Sequence, residues 1–133
     1  MPHCVFAAIL ITGGCCNDDS AEVFHPATST SCQLPGMVER REDHTLEGLL
    51  ACGGDVYTEA GHSCEEFSPA TGTWALTSTL QEARYDHVSW SVEEGTLLMG
   101  GFQHETTSEI VKHDGTTETS FEMKYDTWYE TNQ

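Results

Sequence analysis

Residues 48–54 read Gly-Leu-Leu-Ala-Cys-Gly-Gly, and residues 63–74 read Ser-Cys-Glu-Glu-Phe-Ser-Pro-Ala-Thr-Gly-Thr-Trp. In the first stretch an apolar run stops at a double glycine. In the second, a strand-like run is closed by Pro69 and by the turn residues Thr71, Gly72 and Thr73. Short runs bounded by glycine, proline and other turn residues are typical of antiparallel strands. We therefore predict a small antiparallel meander in this part of the chain.

The same pattern recurs above and below this stretch. A double glycine ends an apolar run in three places, with 40 residues from the first pair to the second and 47 from the second to the third: Gly13 and Gly14, Gly53 and Gly54, Gly100 and Gly101. A glutamate inside a strand-like run follows each pair, at Glu22, Glu65 and Glu109. A period in the forties indicates a repeat architecture, and about 40–50 residues with four strands are typical of a propeller blade.

A second recurring pattern is a cation followed by aspartate and histidine. It reads Arg41-Glu-Asp-His44, then Arg84-Tyr-Asp-His87, and then Lys124-Tyr-Asp-Thr127, in which the histidine is lost. Such a set could serve as cation, acid and base in catalysis. Recurrence favours a structural role, because a catalytic site is usually built once. We expect these residues to fix turns between strands by charge-assisted hydrogen bonds.

Together these patterns resemble the kelch repeat, in which a double glycine follows the second strand of each blade, an apolar residue lies in the third and a tryptophan begins the fourth. The second copy matches best, with Phe67 and Trp74; the first has Ser31 in place of the tryptophan, and the third has none. The resemblance covers nearly the whole chain. It implies an all-β propeller of four-stranded antiparallel blades, with a partial blade over residues 1–40, blades over 41–83 and 84–123, and the start of another over 124–133.

This inventory predicts an open, incomplete propeller, because propellers close with roughly 4–8 blades. We expect a segment of a longer propeller or, as a second reading, an autonomous open β-domain or one closed by self-association. No long stretch has helical periodicity. Each blade is expected to bury apolar residues against its neighbours, among them Leu50, Phe67, Trp74, Val88, Trp90 and Leu98.

The charge of the chain limits its partners. Among 133 residues, 22 Asp and Glu oppose 5 Lys and Arg, for a formal net charge of −17. Such a surface repels nucleic-acid phosphates and anionic lipids, so we expect neither as a partner. Basic proteins or divalent cations are electrostatically more compatible. The simplest role of the charge is to keep the protein soluble.

Six cysteines leave the compartment open: Cys4, Cys15, Cys16, Cys32, Cys52 and Cys64. An even number fits an oxidising environment, and reduced cysteines buried in strands are the competing interpretation. The first residues lack the basic region of a signal peptide. We therefore expect a cytoplasmic protein if this start is genuine, and an extracellular one if the chain is a piece of a secreted protein. Cys52 and Cys64 lie on strands of one predicted hairpin, and we expect a Cα separation within the roughly 4.4–6.8 Å of a disulfide.

No motif predicts a cofactor. His3, Cys4, Cys15, Cys16 and His25 could supply zinc ligands, but adjacent cysteines cannot chelate one ion from a strand and paired spacing is missing. Residues 17–20 lack the ligand spacing of a calcium loop. The recurring glutamates could form a cation-binding ring, although solvated strand ends or bonds to backbone N–H groups explain them more simply.

The leading functional hypothesis is a non-catalytic protein-interaction scaffold. Loops on a rigid framework commonly carry binding, and the candidates are residues 15–20, 55–62 and 103–107. The alternative is a galactose-oxidase-like or glycan-processing propeller enzyme whose active site needs further blades. No copper-site constellation, phosphate loop or nucleophile elbow stands out in the sequence.

Overall fold

The computed structural model describes residues 8–16, 18–55, 57–102 and 106–122, and these form an open, almost entirely β structure. Three antiparallel sheets account for their strands, and none of the sheets closes on itself. The prediction of an open all-β fold is confirmed. One short 3₁₀ turn, Glu59–His62, interrupts the loop where the sequence predicted no helix. Within the described ranges, no helix is long and apolar enough to cross a membrane.

Each sheet is a meander in which consecutive strands are neighbours. Sheet 1 contains β1 (Ile9–Thr12), β2 (Ala21–His25) and β3 (Thr30–Leu34). Sheet 2 contains β4 (Thr45–Glu47), β5 (Leu50–Cys52), β6 (Ser63–Ser68) and β7 (Thr73–Thr79). Sheet 3 contains β8 (Val88–Val92), β9 (Gly95–Met99), β10 (Thr107–Lys112) and β11 (Thr117–Glu122). The strand predicted after residue 123 lies outside the described residues.

The up-and-down course of each meander gives the molecule two different ends. The described residues of the long loops lie at one end together with the linkers between sheets, residues 35–44 and 80–87. In the loops these are residues 13–16, 18–20, 53–55, 57–62, 100–102 and 106. We call this the loop end. Short turns connect the strands at the opposite end, which we call the turn end. The double glycines and the Arg-x-Asp-His residues therefore meet at the loop end.

The apolar core lies between the sheets. Ala21, Val23, Leu34 and Met37 pack against a second group from sheet 2, namely Ala51, Phe67 and Trp74. A separate cluster joins sheet 2 to sheet 3, with Cys52, Cys64 and Leu80 against Leu98 and Val111. Because residues alternate between the two faces of a strand, each sheet offers one set of side chains to the sheet before it and another to the sheet after it.

Trp74 is the largest apolar side chain of the first cluster. It is 7% exposed, its ring centroid lies 5.4 Å from that of Phe67, and its Nε1–H donates to the carbonyl of Pro35 at 3.0 Å. Phe67 and Trp74 are opposite residues of β6 and β7, and Phe24 and Ser31 are opposite residues of β2 and β3. Ser31 thus occupies in sheet 1 the place that Trp74 has in sheet 2, as the sequence repeat predicts.

Two residues expected in the core are not buried. Val88 is 52% exposed and Trp90 is 67% exposed, and the prediction that they pack in the interior is wrong. They are opposite Met99 and Leu97 of β9, and so lie on the face of sheet 3 that points away from sheet 2. Among the described residues no further sheet covers that face. Leu50 is only partly buried.

Cys52 and Cys64 are directly opposed on β5 and β6, and their sulfurs form a disulfide. The predicted proximity is confirmed. Their Cα atoms are 4.1 Å apart, slightly closer than the predicted range. The neighbouring residues Gly53 and Ser63 are joined by a backbone hydrogen bond, so the cysteines occupy a non-hydrogen-bonded position, where opposed Cα atoms approach to about 4.5 Å.

Candidate interaction surface at the loop end

The first glycine of a pair makes room for the linker that follows its sheet. Gly53 has φ of 74°, and a Cβ there would lie 2.5 Å from the carbonyl oxygen of Arg84 and 2.6 Å from Cε1 of His87. Such approaches are closer than any real Cβ contact. Gly13 lies in the same way against Arg41 and His44. The double glycine and the Arg-x-Asp-His pattern are therefore two halves of one junction between sheets.

The second glycine adds a hydrogen bond to this junction. The N–H of Gly54 donates to the carbonyl of Arg84 at 2.8 Å, and that of Gly14 donates to the carbonyl of Arg41 at 3.2 Å. In sheet 3, Gly101 packs against the carbonyl of Tyr85, and Gly100 donates to Thr107 at 2.9 Å. The main chain of each linker arginine is thereby fixed to the sheet before it.

The side chain of the same arginine reaches into the following sheet. Arg41 is fully buried, and its Nε and Nη2 donate to Oε2 of Glu65 at 3.0 and 2.8 Å. Its Nη1 donates to three backbone carbonyls, those of Gly53, Ala60 and Ser63. Burial lowers the pKa of Arg41, and the hydrogen bond to Glu65 acts in the opposite direction. The guanidinium is thus enclosed by acceptors.

Arg84 repeats this arrangement one sheet later. Its Nε donates to Oε1 of Glu109 at 2.9 Å, and its Nη1 donates to the carbonyls of Gly100 and Thr107. Both carboxylates also accept backbone N–H groups of the linker: those of Val38 and Glu39 for Glu65, and those of Gln81 and Glu82 for Glu109. The two ion pairs are 0–1% exposed, so each ties a linker to a sheet from inside the protein.

The three recurring glutamates therefore have two different environments. Glu65 and Glu109 are buried and accept backbone N–H groups, so of the two simpler interpretations bonds to the backbone are correct and solvated strand ends are wrong for these two. Glu22 occupies the equivalent position of sheet 1, two residues after the carbonyl that accepts the N–H of Gly13, yet it is exposed. A cation-binding ring would need free carboxylates, and the ion pairs with arginine occupy two of the three.

The two histidines bridge neighbouring sheets. Nε2 of His44 is 2.8 Å from Oγ1 of Thr12, and Nε2 of His87 is 2.8 Å from Oγ1 of Thr45. Burial, with Arg84 and then His44 nearby, lowers the pKa of His87 to about 3. Burial and Arg41 also lower the pKa of His44. Both rings are neutral near pH 7 and are placed for packing between sheets.

A cleft opens beside these junctions at the surface of the loop end. It has a volume of about 240 Å³ and is lined by Glu42, Asp43, Asp55, Tyr57 and Tyr85. Tyr57 is 91% exposed. Burial, followed by the charge of Asp43, raises the pKa of the neighbouring Asp86. Three acidic residues and two tyrosines thus line the same space.

The loops predicted to bind partners flank this cleft in part. Residues 55 and 57 belong to the second candidate loop, and residues 103–105 of the third lie outside the described residues. In the first loop, Cys15 and Cys16 are exposed with their sulfurs 2.9 Å apart, and the N–H of Cys16 donates to Glu42 at 3.1 Å. The first loop thereby contacts one wall of the cleft.

Those candidate zinc ligands that the structure describes are not brought together. His25 lies at the turn end, whereas Cys15 and Cys16 lie at the loop end; His3 and Cys4 are outside the described residues. Within the described part of the chain, no three His, Cys, Asp or Glu side chains are grouped so that they could hold a metal ion.

Sequence reasoning did not find the cleft itself. Glu42 and Tyr85 occupy the variable position of the Arg-x-Asp-His pattern, which carries no motif of its own. The available signal was their adjacency to the recurring aspartates, which are placed together by the repeat. Comparison of the sequence with protein-family models finds no match, and comparison with curated proteins finds no similar chain. The function is therefore argued from the geometry.

Proposed function

We propose that this chain is an open kelch-type propeller segment that acts as a non-catalytic protein-interaction scaffold, and that its loop end binds a basic segment of a partner protein. The observation that carries the proposal is the cleft lined by Glu42, Asp43 and Asp55 with Tyr57 and Tyr85. The repeated glycine–arginine junctions support the kelch interpretation, since they link each sheet to the next by the same contacts.

The chemistry of the cleft suits lysine and arginine side chains. Carboxylates accept charge-assisted hydrogen bonds from both cations, and phenol rings attract a cation to their faces. Tyr57 is 91% exposed, so its ring is available to a partner without rearrangement of the core. The formal charge of −17 also accelerates encounter with a basic partner at low ionic strength.

The buried histidines at the loop end support binding more than catalysis. The histidines nearest the cleft are held between sheets, and the pKa of His87 is lowered to about 3. A general base for neutral pH needs a pKa close to 7. Within the described residues, no nucleophile, acid and base are arranged around the cleft, and no specific contact favours the enzyme alternative.

The proposal is tested by fluorescence polarisation with a labelled Lys- and Arg-rich peptide and a matched acidic peptide. We expect saturable binding of the basic peptide alone, weakened by rising salt because exposed charges are screened. Replacing Tyr57 by Ala, or Asp43 by Asn, should each weaken binding by about tenfold, which corresponds to about 1.4 kcal/mol. Asn tolerates the positive φ of 53° at position 43.

Glu94 provides the matched control, because it is an exposed carboxylate at the turn end. Glu94→Gln removes the same charge as Asp43→Asn and should leave binding unchanged. Equal weakening by both substitutions would show non-specific attraction to the acidic surface. Equal affinity for the acidic peptide would contradict the proposed partner chemistry.

A further inference from the structure

Each sheet has two faces that are used differently at the junctions inside the chain. We call the face toward the preceding sheet the leading face and the face toward the following sheet the trailing face. The trailing face of sheet 1, with Val23 and Leu34, packs on the leading face of sheet 2, with Phe67 and Trp74. The trailing face of sheet 2, with Cys64, packs on the leading face of sheet 3. Both internal junctions are therefore formed in the same way, by a trailing face that packs on a leading face.

The leading face of sheet 1 is open in the described structure. Ile9 is 53% exposed and Ile11 is 43% exposed, and they are opposite Phe24 and Glu22 of β2. Phe24 corresponds to Phe67 of sheet 2, and Glu22 to the buried Glu65. This face therefore has the apolar and acidic positions of a leading face without a sheet to cover them.

The trailing face of sheet 3 is open in the same sense. Val88 and Trp90 are 52% and 67% exposed, and they are opposite Met99 and Leu97. Ile110 is opposite Leu97 on the other side and extends the apolar surface across β10. An apolar surface that runs over three strands is a candidate interface.

We propose that these two open faces bind each other between two copies of this chain. The trailing face of sheet 3 of one copy packs on the leading face of sheet 1 of the other, and the reverse contact forms at the same time. Two copies, each contributing the three sheets formed by the described residues, then close a ring of six, within the roughly 4–8 blades of closed propellers. A head-to-tail contact forms either a ring or an open filament, and this pairing forms the ring.

The match between the faces is what identifies a second copy as the partner. Both internal junctions join a trailing face to a leading face, and the two open faces are one of each kind. Burying Glu22 requires a cation, because Glu65 and Glu109 are each buried with an arginine at the internal junctions.

The net negative charge of the chain opposes association of two copies. The effect of salt therefore distinguishes this association from binding of a basic peptide. Two chains with a formal charge of −17 repel each other. Salt screens repulsion between exposed charges and leaves burial of apolar surface intact. Rising ionic strength should therefore strengthen docking of two copies, whereas it weakens binding of a basic peptide at the loop end.

The first test is sedimentation velocity of the full chain from about 1 to 200 μM, concentrations that bracket a micromolar dimer. We expect a monomer–dimer equilibrium that reaches twice the 14.6 kDa mass of one chain. Trp90→Ser and Ile11→Ser should each abolish the dimer in this range. Leu76→Ser is the control, because Leu76 is 51% exposed on β7 and lies on neither open face. Circular dichroism checks that each variant is folded.

A mixture of the two variants tests the direction of the contact. Trp90→Ser damages only the trailing face of sheet 3, and Ile11→Ser damages only the leading face of sheet 1. A mixed pair has one intact junction, whereas a pair of either variant alone has none. We expect the mixture to associate more strongly than either variant by itself.

Four results would overturn the proposal. The first is a monomer at all concentrations and salt levels, which means that this chain alone does not cover its open faces. The second is a dimer that survives both substitutions, or that Leu76→Ser weakens equally. The third is growth beyond the dimer, which indicates a contact that does not close. The fourth is absence of recovery in the mixture, which excludes the head-to-tail geometry.

Discussion

The backbone N–H of Asp86 donates to the carbonyl of Asp43 at 3.0 Å. Both aspartates have φ of 53°, and they occupy the same position in successive linkers. One linker is therefore bonded directly to the next at the loop end, in addition to the bonds that tie each linker to its sheets. We expect the sheets to unfold together, since loosening of either linker removes bonds from both junctions.

The steric fit at Gly53 predicts a large effect of adding one methyl group. Gly53→Ala would place a Cβ 2.5 Å from the carbonyl oxygen of Arg84 and should separate sheets 2 and 3. Gly48 has φ of 61° and no atom within 4 Å of its Cβ position, so Gly48→Ala carries only the backbone cost of about 1–2 kcal/mol. Urea unfolding of both variants measures the difference. Equal destabilisation would mean that the junction relaxes around the methyl group.

Removal of Arg41 should leave the buried carboxylate of Glu65 without its positively charged partner. Arg41→Ala is expected to reduce the free energy of unfolding by about 3–5 kcal/mol, because an unpaired charge remains in the interior. Arg40 is exposed, and Arg40→Ala should change stability by about 0.5 kcal/mol or less. Thermal and chemical unfolding distinguish these outcomes, and similar costs for the neighbouring arginines would contradict the structural role of Arg41.

The buried histidine predicts a loss of stability in acid. The pKa of His87 is about 3 in the folded chain and about 6.5 when unfolded. Between these two pH values the unfolded state binds more protons than the folded state. The stability that the neutral, buried His87 contributes is therefore fully present above pH 6.5 and is lost as the pH falls toward 3. The slope from this group approaches about 1.4 kcal/mol per pH unit.

Two histidine variants isolate that contribution from the carboxylates that also titrate in acid. His87→Gln should flatten the dependence of unfolding free energy on pH between about 6 and 4. His62 is exposed, and His62→Gln is the matched control for replacing a histidine by glutamine. If the pH dependence of His87→Gln equals that of the wild type, His87 makes no contribution to it. His87 would then take up its proton in the folded chain over the same pH range as in the unfolded chain, which contradicts the prediction.

Trp74 should contribute more to stability than any other apolar side chain between sheets 1 and 2. Trp74→Ala removes its contact with Phe67 and the hydrogen bond to Pro35, and is expected to cost about 3–5 kcal/mol. Trp90→Ala is the matched control at low concentration, where an exposed indole should contribute little. A small loss at position 74 would mean that the core collapses around the missing ring.

Much of the fold could be predicted from the sequence because its signals are local. Turn residues such as Gly48 and Gly72 mark where strands end, and alternation such as Val88-x-Trp90-x-Val92 marks a strand. The same alternation does not say which face is covered. Trp90 was expected inside for that reason, since burial depends on a neighbouring sheet and not on the strand itself.

The junctions were harder to predict because they depend on distance in space. The recurrence of Arg41 and Arg84 indicated a structural role, but their partners Glu65 and Glu109 lie 24 and 25 residues further along the chain. The periodicity of the sequence indicates that the arginines and the glutamates each recur. It does not indicate that an arginine of one set binds a glutamate of the other. The cleft could not be predicted because Tyr57 lies in the loop between β5 and β6, Tyr85 lies in the linker between sheets 2 and 3, and neither is a fixed position of a motif.

Arg41 binds the loop before β6 through main-chain atoms, the carbonyl oxygens of Gly53, Ala60 and Ser63. Every amino acid presents such an oxygen, so these contacts depend on the path of the main chain; of these three residues, only at Ser63 does the guanidinium also bind a side chain, the hydroxyl oxygen, at 2.9 Å. Foreign sequence of the same length could replace residues 55–59 while this contact persists. The loop is in this respect a natural grafting position, at which a new binding specificity could be introduced while the framework is kept.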